Sequence, residues 1–469
     1  MSRNFGTLAA FAAALAASGC AMLEPALPEA NPGIPAQWAG STAPPAVGAM
    51  PVAGVADVGW RDFFTDPKLA QLIAKALETN RDLRVAVLNV ERARALYRIQ
   101  RADRVPSVGV AGALVRTGGD HRDVSDAYSV NLGITEFEID LFGRVRNLSQ
   151  AALEQYFGQE EARRGAQLSL VAEVANAYLA LAADREQLRV AQATLANQEA
   201  AFGLTQKRHE LGAVSGLELN QARTTVETAR ADAARFGGLA ANDANALALL
   251  VGAPVDESLL PAGFATPVSV LEAVPAGLAS EVLLRRPDVL RAEHALRAAN
   301  ANIGAARAAF FPSIKLTGAV GTASDELSGL FRGGSFAWSV MPSIQVPIFQ
   351  GGRLAANLDA ATADRDIALA QYEKAIQAGF REVADALVLS RALAEQRRAQ
   401  ESLVEAAANA DRLSRSRYEA GRDSYLVLLD AQRTLYAAQQ GLVATRRAEQ
   451  ANRVTLYKAL GGGWKERSS

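Results

Sequence analysis

The sequence predicts a mainly α-helical chain that carries a small membrane β component and is written as two tandem copies of one unit. Three observations predict this. Motifs in the first half recur in order 206 to 209 positions later. Residues 144–211 run without proline and are rich in Ala, Leu, Gln, Glu and Arg, all good helix formers, and 353–420 is a mate of the same length. Two pairs of alternating apolar runs sit at matching places in the two halves, each about 10–12 residues long, the length of a tilted transmembrane strand. No segment after residue 20 offers the roughly 20 consecutive apolar residues of a membrane helix, so any span is made of something else.

The chain has 469 residues, 49% of them hydrophobic, with 49 Lys+Arg against 50 Asp+Glu. Near-neutrality argues against nucleic acid as a partner, because phosphate neutralisation needs a clustered basic excess. Three His and one Cys remove disulfide frameworks and Cys/His nucleophile designs. His121, His209 and His294 are scattered and lack ligand spacing, so no metal is expected. No nucleotide-binding loop with Lys-Ser/Thr follows any strand. No triad or carboxylate pair can be assembled, which makes an enzyme the least supported class.

The N-terminus reads as an address. Arg3, an Ala/Leu/Phe-rich run and Ala17-Ser18-Gly19 form a signal peptide over 1–19. The sole cysteine, Cys20, follows directly and resembles the lipidated first residue of a bacterial lipoprotein, with Ala17 where Leu is usual; the alternative is an ordinary signal with an incidental Cys. Residues 20–60 form a Pro-rich strap (Pro25, Pro28, Pro32, Pro35, Pro44, Pro45, Pro51), since proline fixes φ and removes a donor.

The duplication divides the rest. Val105-Pro106-Ser107 recurs as Phe311-Pro312-Ser313, Glu173-Val174-Ala175 as Glu382-Val383-Ala384, and Arg208-His209-Glu210-Leu211-Gly212 as Arg417-Tyr418-Glu419-Ala420-Gly421. The first repeat spans 61–255: a helix at 68–103, a β-hairpin at 105–139, a long helix at 144–211 and a helix at 217–251. A linker covers 256–276. The second repeat spans 277–462: a helix at 277–310, a hairpin at 311–348, a long helix at 353–420 and a helix at 426–460. Residues 463–469 are a tail.

In the hairpins, Phe336, Trp338, Val340 and Ile344 share one parity against Ala337, Ser339, Ser343 and Gln345. Tyr128, Val130, Leu132 and Ile134 alternate with Ser129, Asn131, Gly133 and Thr135. A soluble sandwich would alternate in the same way. Four strands cannot close in lipid, however, so membrane strands here require several chains to share one barrel. At 1.5 Å per residue each long helix measures about 100 Å, and the shorter ones about 50 Å, so that two short helices stacked end to end match one long helix. Val174, Leu181, Leu188, Leu195 and Phe202 recur every seven residues as a coiled-coil seam.

Leu284-Arg285-Arg286-Pro287-Asp288-Val289, Ala309-Phe310-Phe311-Pro312-Ser313, Glu138-Ile139-Asp140-Leu141-Phe142-Gly143-Arg144 and Tyr425-Leu426-Val427-Leu428-Leu429-Asp430 together resemble TolC-like outer-membrane efflux proteins, over roughly residues 60–465. The lipoprotein-type N-terminus places the resemblance in the OprM- and NodT-like branch. It implies a homotrimer with a 12-stranded barrel, four strands per chain, continued by a long α-helical barrel into the periplasm. It also implies a lipid-anchored place in the cell outer membrane, a periplasmic adaptor (membrane fusion) protein and an inner-membrane pump of the resistance-nodulation-division type. The implied work is passive export of drugs or toxic compounds, with no cofactor and no catalysis in the channel itself. Two rivals stay open: a type I protein-secretion channel, and a non-conducting periplasmic coiled-coil scaffold.

Each long helix ends near a glycine that permits chain reversal, Gly212 and Gly421. The resemblance makes these turns the gate and the adaptor-contacting tips: Gly212, Ser215 and Leu217 in the first half, Gly421, Ser424 and Leu426 in the second. Asp423 and Asp430 are candidate gate acids, with Arg422 or Arg433 as locking partners, because a threefold ring of carboxylates narrows a bore and favours cations. Asp423 reads equally as a helix N-cap. Val214 and Gln221 occupy the equivalent positions of the first half, so an acid ring belongs to the second half alone.

Overall fold

The computed structural model describes residues 23–38, 58–264, 268–269 and 280–462. The signal peptide, Cys20 and the tail 463–469 lie outside the described residues, as do parts of the strap and the linker. The chain forms two compact units, one from 1–32, 88–162 and 290–375, the other from 33–87, 163–289 and 376–469.

After a short helical turn at Trp60–Phe63, the longer elements in order are α1 (Pro67–Thr79), α2 (Arg81–Ala102), β1 (Val108–Gly119), β2 (Arg122–Ile139), α3 (Arg144–Glu210), α4 (Gly216–Val251), α5 (Pro287–Ala308), β3 (Ser313–Ser324), β4 (Phe336–Gln345), α6 (Arg353–Glu419) and α7 (Tyr425–Ala459). The two long helices, α3 and α6, have 67 residues each.

Two helices differ from their sequence reading. The helix expected over 68–103 breaks at Asn80, whose extended backbone (ψ 134°) ends α1. Its side chain then does two jobs: Oδ1 accepts from Leu83 N at 2.8 Å to cap α2, and Nδ2 donates to the Leu250 carbonyl at the end of α4 at 2.8 Å. The helix expected over 277–310 is a 3₁₀ segment at Ser280–Arg285 followed by α5, because Pro287 excludes Arg286 from the helical region.

In the first unit the four strands form one antiparallel sheet in the order β1-β2-β3-β4. Residues paired across strands share a face, so the register sorts the side chains. One row reads Val110, Leu132, Val320, Trp338, and the next reads Val108, Ile134, Gly318, Val340. The opposite face carries Ala111, Asn131, Gly321, Ala337 and Gly109, Gly133, Ala319, Ser339. One face is therefore apolar and exposed, with Trp338 71%, Val110 74% and Val340 60% accessible. The other is small and polar and admits close approach: a Cβ on Gly321 would stand 2.1 Å from the Val130 carbonyl oxygen, and one on Gly133 2.4 Å from that of Gly318.

The apolar face survives a change of parity on β2. Tyr128 to Ile134 use even positions, whereas Phe137 and Ile139 are odd. A bulge between Ile134 and Phe137 absorbs the extra residue, with Glu136 in the left-handed region at φ 50°, and Phe137 then pairs with Leu316 and Ile139 with Ile314. Pro342 of β4 is registered opposite Leu316 of β3.

Around the sheet, Ala151 of α3 and Ala298 and Ala301 of α5 are buried against one another, small side chains that let two helices approach closely. Leu23, Glu24 and Pro25 of the strap bind α5: Asn300 Nδ2 donates to Glu24 Oε1 at 2.9 Å and to the Pro25 carbonyl at 2.8 Å, and Arg307 reaches the Leu23 carbonyl at 3.2 Å.

In the second unit the core gathers Trp60, Phe63, Leu69, Leu72, Ile73, Leu179, Leu181, Leu247 and Tyr457, all under 2% accessible. Phe63 stacks on Tyr457 at 3.8 Å between centroids, and the Tyr457 hydroxyl donates to the Val58 carbonyl at 2.7 Å. Of the heptad seam, Val174 and Leu181 are fully buried, while Leu188 and Leu195 are half-buried.

Candidate functional site

Both long helices end in the same hydrogen-bonded turn. In the first, Ala213 N donates to the Arg208 carbonyl at 2.8 Å and Gly212 N to that of His209 at 2.9 Å. In the second, Arg422 N donates to the Arg417 carbonyl and Gly421 N to that of Tyr418, both at 2.9 Å. This is a Schellman arrangement, and it requires a left-handed residue. Gly212 (φ 74°) and Gly421 (φ 68°) supply it 209 positions apart.

Ser215 caps α4, its Oγ accepting from Glu218 N at 3.2 Å. Ser424 occupies the N-cap of α7, so Asp423 stands one residue outside the cap position. Gly212, Ser215, Leu217, Gly421, Ser424 and Leu426 are all exposed, with Leu217 69% and Leu426 58% accessible.

The two turns are tied together by side chains. Tyr418 of α6 donates to Glu218 Oε1 of α4 at 2.6 Å and accepts from Arg208 Nη1 of α3 at 3.1 Å. Its ring meets that of Tyr425 of α7 edge-on at 5.6 Å. Beneath it, Ala222, Tyr425, Leu428 and Leu429 form a buried cluster against which Phe202 and Tyr418 pack. Burial, and then the bond to Glu218, push the Tyr418 hydroxyl up to about 12, so it remains a donor at neutral pH.

Asp423 is held by Arg417 through two bonds, Nε–Oδ2 at 2.6 Å and Nη2–Oδ1 at 2.9 Å. That bonding holds its carboxyl below the ordinary carboxylate range. Within the protomer, Arg417 is its partner rather than Arg422 or Arg433. Arg422, Asp430 and Arg433 are exposed, and Asp430 lies on the α7 face opposite the buried Leu428 and Leu429.

Sequence reasoning missed Arg417, Tyr418, Glu218 and Arg208. Three of them lie inside the repeated block that marks the helix ends, so the repeat itself was the available signal. Among the described residues no group of three or more His, Cys, Asp or Glu is placed to hold a metal ion. His209 bonds the Val214 carbonyl at 3.0 Å, and His294 bonds Glu154 at 2.7 Å.

The chain matches the family described as outer membrane efflux protein over residues 72–253 and 278–462. It is 45% identical over 464 residues to the toluene efflux pump outer membrane protein TtgC of Pseudomonas putida, covering 96% of this chain and 94% of that one. The antibiotic efflux pump outer membrane protein ArpC of Pseudomonas putida matches with the same identity and coverage. Among solved structures, the open state of the Neisseria gonorrhoeae MtrE outer membrane channel superposes with a TM-score of 0.87 at 40% identity, covering 95% of this chain and 99% of that one.

Proposed function

The chain belongs to the outer membrane efflux protein family, and from that premise we propose that it is the exit duct of a tripartite efflux pump, completed by two further copies of itself and gated at the turns 211–216 and 420–425. The observation that carries this reading is the sheet. It presents an exposed apolar face and a small polar one, and it leaves β1 and β4 as open edges. Lipid tolerates no open edge, so the strands must close with those of other chains. Twelve strands from three chains close such a barrel, apolar face to lipid and small face to the bore.

The cargo is small and poorly water-soluble, of the solvent and antibiotic kind for which the relatives are named. The duct itself is passive. A periplasmic adaptor and an inner-membrane pump of the resistance-nodulation-division type supply coupling and energy, and Cys20 carries the lipid anchor. Adaptor binding at Leu217 and Leu426 opens the gate by favouring the open arrangement of the tips over the closed one.

In the resting state Tyr418 ties the second helix hairpin to the first, and Arg417 pins the loop of the second to the end of its own helix. Losing the Tyr418 bond to a charged acceptor removes about 1–2 kcal/mol per protomer. Tyr418→Phe combined with Arg417→Ala is therefore expected to raise open probability about fivefold or more in planar bilayers. A folded double variant that opens no more often than the unmodified protein contradicts the clamp. Because the folded Asp423 pKa is depressed, its pair with Arg417 is complete above the ordinary carboxylate value and is lost only as pH falls through the depressed one. Conduction should accordingly show no Asp423-dependent change from about pH 5 to 8.

A further inference from the structure

Between the two register shifts of β2, from Ser125 to Ile134, the face of the sheet that lines the bore carries no charged residue. Among the residues in registered strand pairs on that face, β1 contributes Gly109, Ala111, Ala113, Val115 and Thr117, and β4 contributes Ala337, Ser339, Met341, Ser343 and Gln345. On β2 from Ser125 to Ile139, and on β3, the charged residues of that face are Glu138 and Lys315, which pair with each other in the register. The bulge adds a third, Glu136. All three sit at the end of the sheet from which α3 departs.

Their partners divide unevenly. Glu138 is taken by Arg144 at the start of α3, which donates from Nε to Oε1 at 2.8 Å. Lys315 bonds instead to Glu136, Nζ to Oε2 at 2.9 Å. This pair is open to solvent, with side chains 38% and 67% accessible. Glu136 is also one of two non-glycine residues described with positive φ, and its backbone N–H donates to Thr317 Oγ1 at 3.2 Å on the same face. A glutamate gains nothing conformationally from φ 50°, where glycine or asparagine is at ease. Its presence there delivers a carboxylate to the bore beside Lys315.

We propose that Glu136 and Lys315 form a charge-balanced selectivity belt at the inner mouth of the β-barrel, which sets the cation-to-anion preference of that part of the duct. The inference rests on the channel reading above. Threefold repetition makes it a ring of three ammonium and three carboxylate groups beside the neutral stretch of wall that runs from Ser125 to Ile134 on β2. Each protomer's belt is neutral as built: Glu136 against Lys315, and Glu138 against Arg144. Deleting either member of the exposed pair leaves three like charges around the bore, and rings of charge are how pores select ions. Balance lets cargo of either sign pass, in keeping with a duct that does not choose its substrate.

The test is the reversal potential of the full-length protein in planar bilayers under a potassium chloride gradient at low ionic strength. Lys315→Met is expected to raise the cation-to-anion permeability ratio by about twofold or more, and Glu136→Gly to lower it by a similar factor. The double variant should return to the unmodified ratio, which a merely structural role for either residue would not produce. Near 1 M salt, where the screening length falls to about 3 Å, the differences should collapse. Glu136→Gly suits the left-handed backbone, so its fold is not at risk. Open channels whose ratio is the same in both single variants as in the unmodified protein overturn the belt and leave the channel reading standing. An unmodified protein that gives no discrete openings overturns the channel reading, and the belt with it.

Discussion

Arg286→Ala is expected to destabilise the second unit by about 3 kcal/mol, read as a lowered midpoint of thermal or denaturant unfolding. The Arg286 side chain is 8% accessible, and every face of its guanidinium is used. Nε and Nη2 donate to the two oxygens of Asp288 at 2.9 and 2.7 Å, Nη2 also to Glu382 at 2.8 Å, and Nη1 to the Ala459 carbonyl at 2.7 Å. The side chain passes two glycines that leave it room. A Cβ on Gly379 would lie 3.2 Å from Nε, and one on Gly461 3.4 Å from Cγ. One residue thus joins the start of α5, the body of α6 and the end of α7.

Removing one partner of a buried ion pair typically costs about 3–5 kcal/mol. Here the Asp288 and Glu382 side chains are 52% and 48% accessible, which places the loss at the lower end. Arg286→Lys keeps the charge but not the fork, and should lose about 1–2 kcal/mol. Burial pushes the Asp288 carboxyl up, but Arg286 more than offsets this and its pKa ends depressed. The contribution of the pair is therefore complete above the ordinary carboxylate value and lost as pH falls through the depressed one. The gap between the native protein and Arg286→Ala should be flat from about pH 5 to 8 and narrow below about pH 4.

The second large effect separates two adjacent residues. Val340→Arg places a charge near the middle of the apolar face and is expected to cost about 2–4 kcal/mol of membrane-inserted stability. Ser339→Arg, one position away, points to the bore and should fold, altering conductance instead. The measurement is the yield and heat resistance of the folded oligomer after refolding into bilayers. Equal tolerance of the two would mean that the sheet is not embedded in lipid.

These effects also mark where sequence reasoning reaches and where it stops. The duplication was legible because both copies keep the same turn chemistry: glycine at positive φ in each Schellman turn, 209 positions apart. The alternation on β4 gave the two faces directly. What escaped was any feature that depends on a distant partner. Asn80 looks like an ordinary helical residue until α4 arrives to receive its amide. The parity change between Ile134 and Phe137 is visible in the letters, yet only the register of β3 turns it into a bulge. Arg286 belongs to a motif legible in the letters, but its four bonds run to three helices that lie far from one another in the chain. At the tips Arg422 and Arg433 are the locking partners the sequence suggests, whereas Asp423 is paired six residues back, to Arg417, because the Schellman turn folds the loop onto the end of α6.

The central claim is that β1 and β4 are edges completed by other copies of the chain. Cys20 is the one native cysteine, so a set of engineered pairs can report on this directly. One cysteine is placed on β1 between 109 and 117, the other on β4 between 337 and 345, and the membrane-inserted protein is oxidised. The account predicts, at the pairs in register, a covalent product of three chains on a denaturing gel. A product that stays at one chain across the whole set, with β1 linked to β4 of the same molecule, would contradict it.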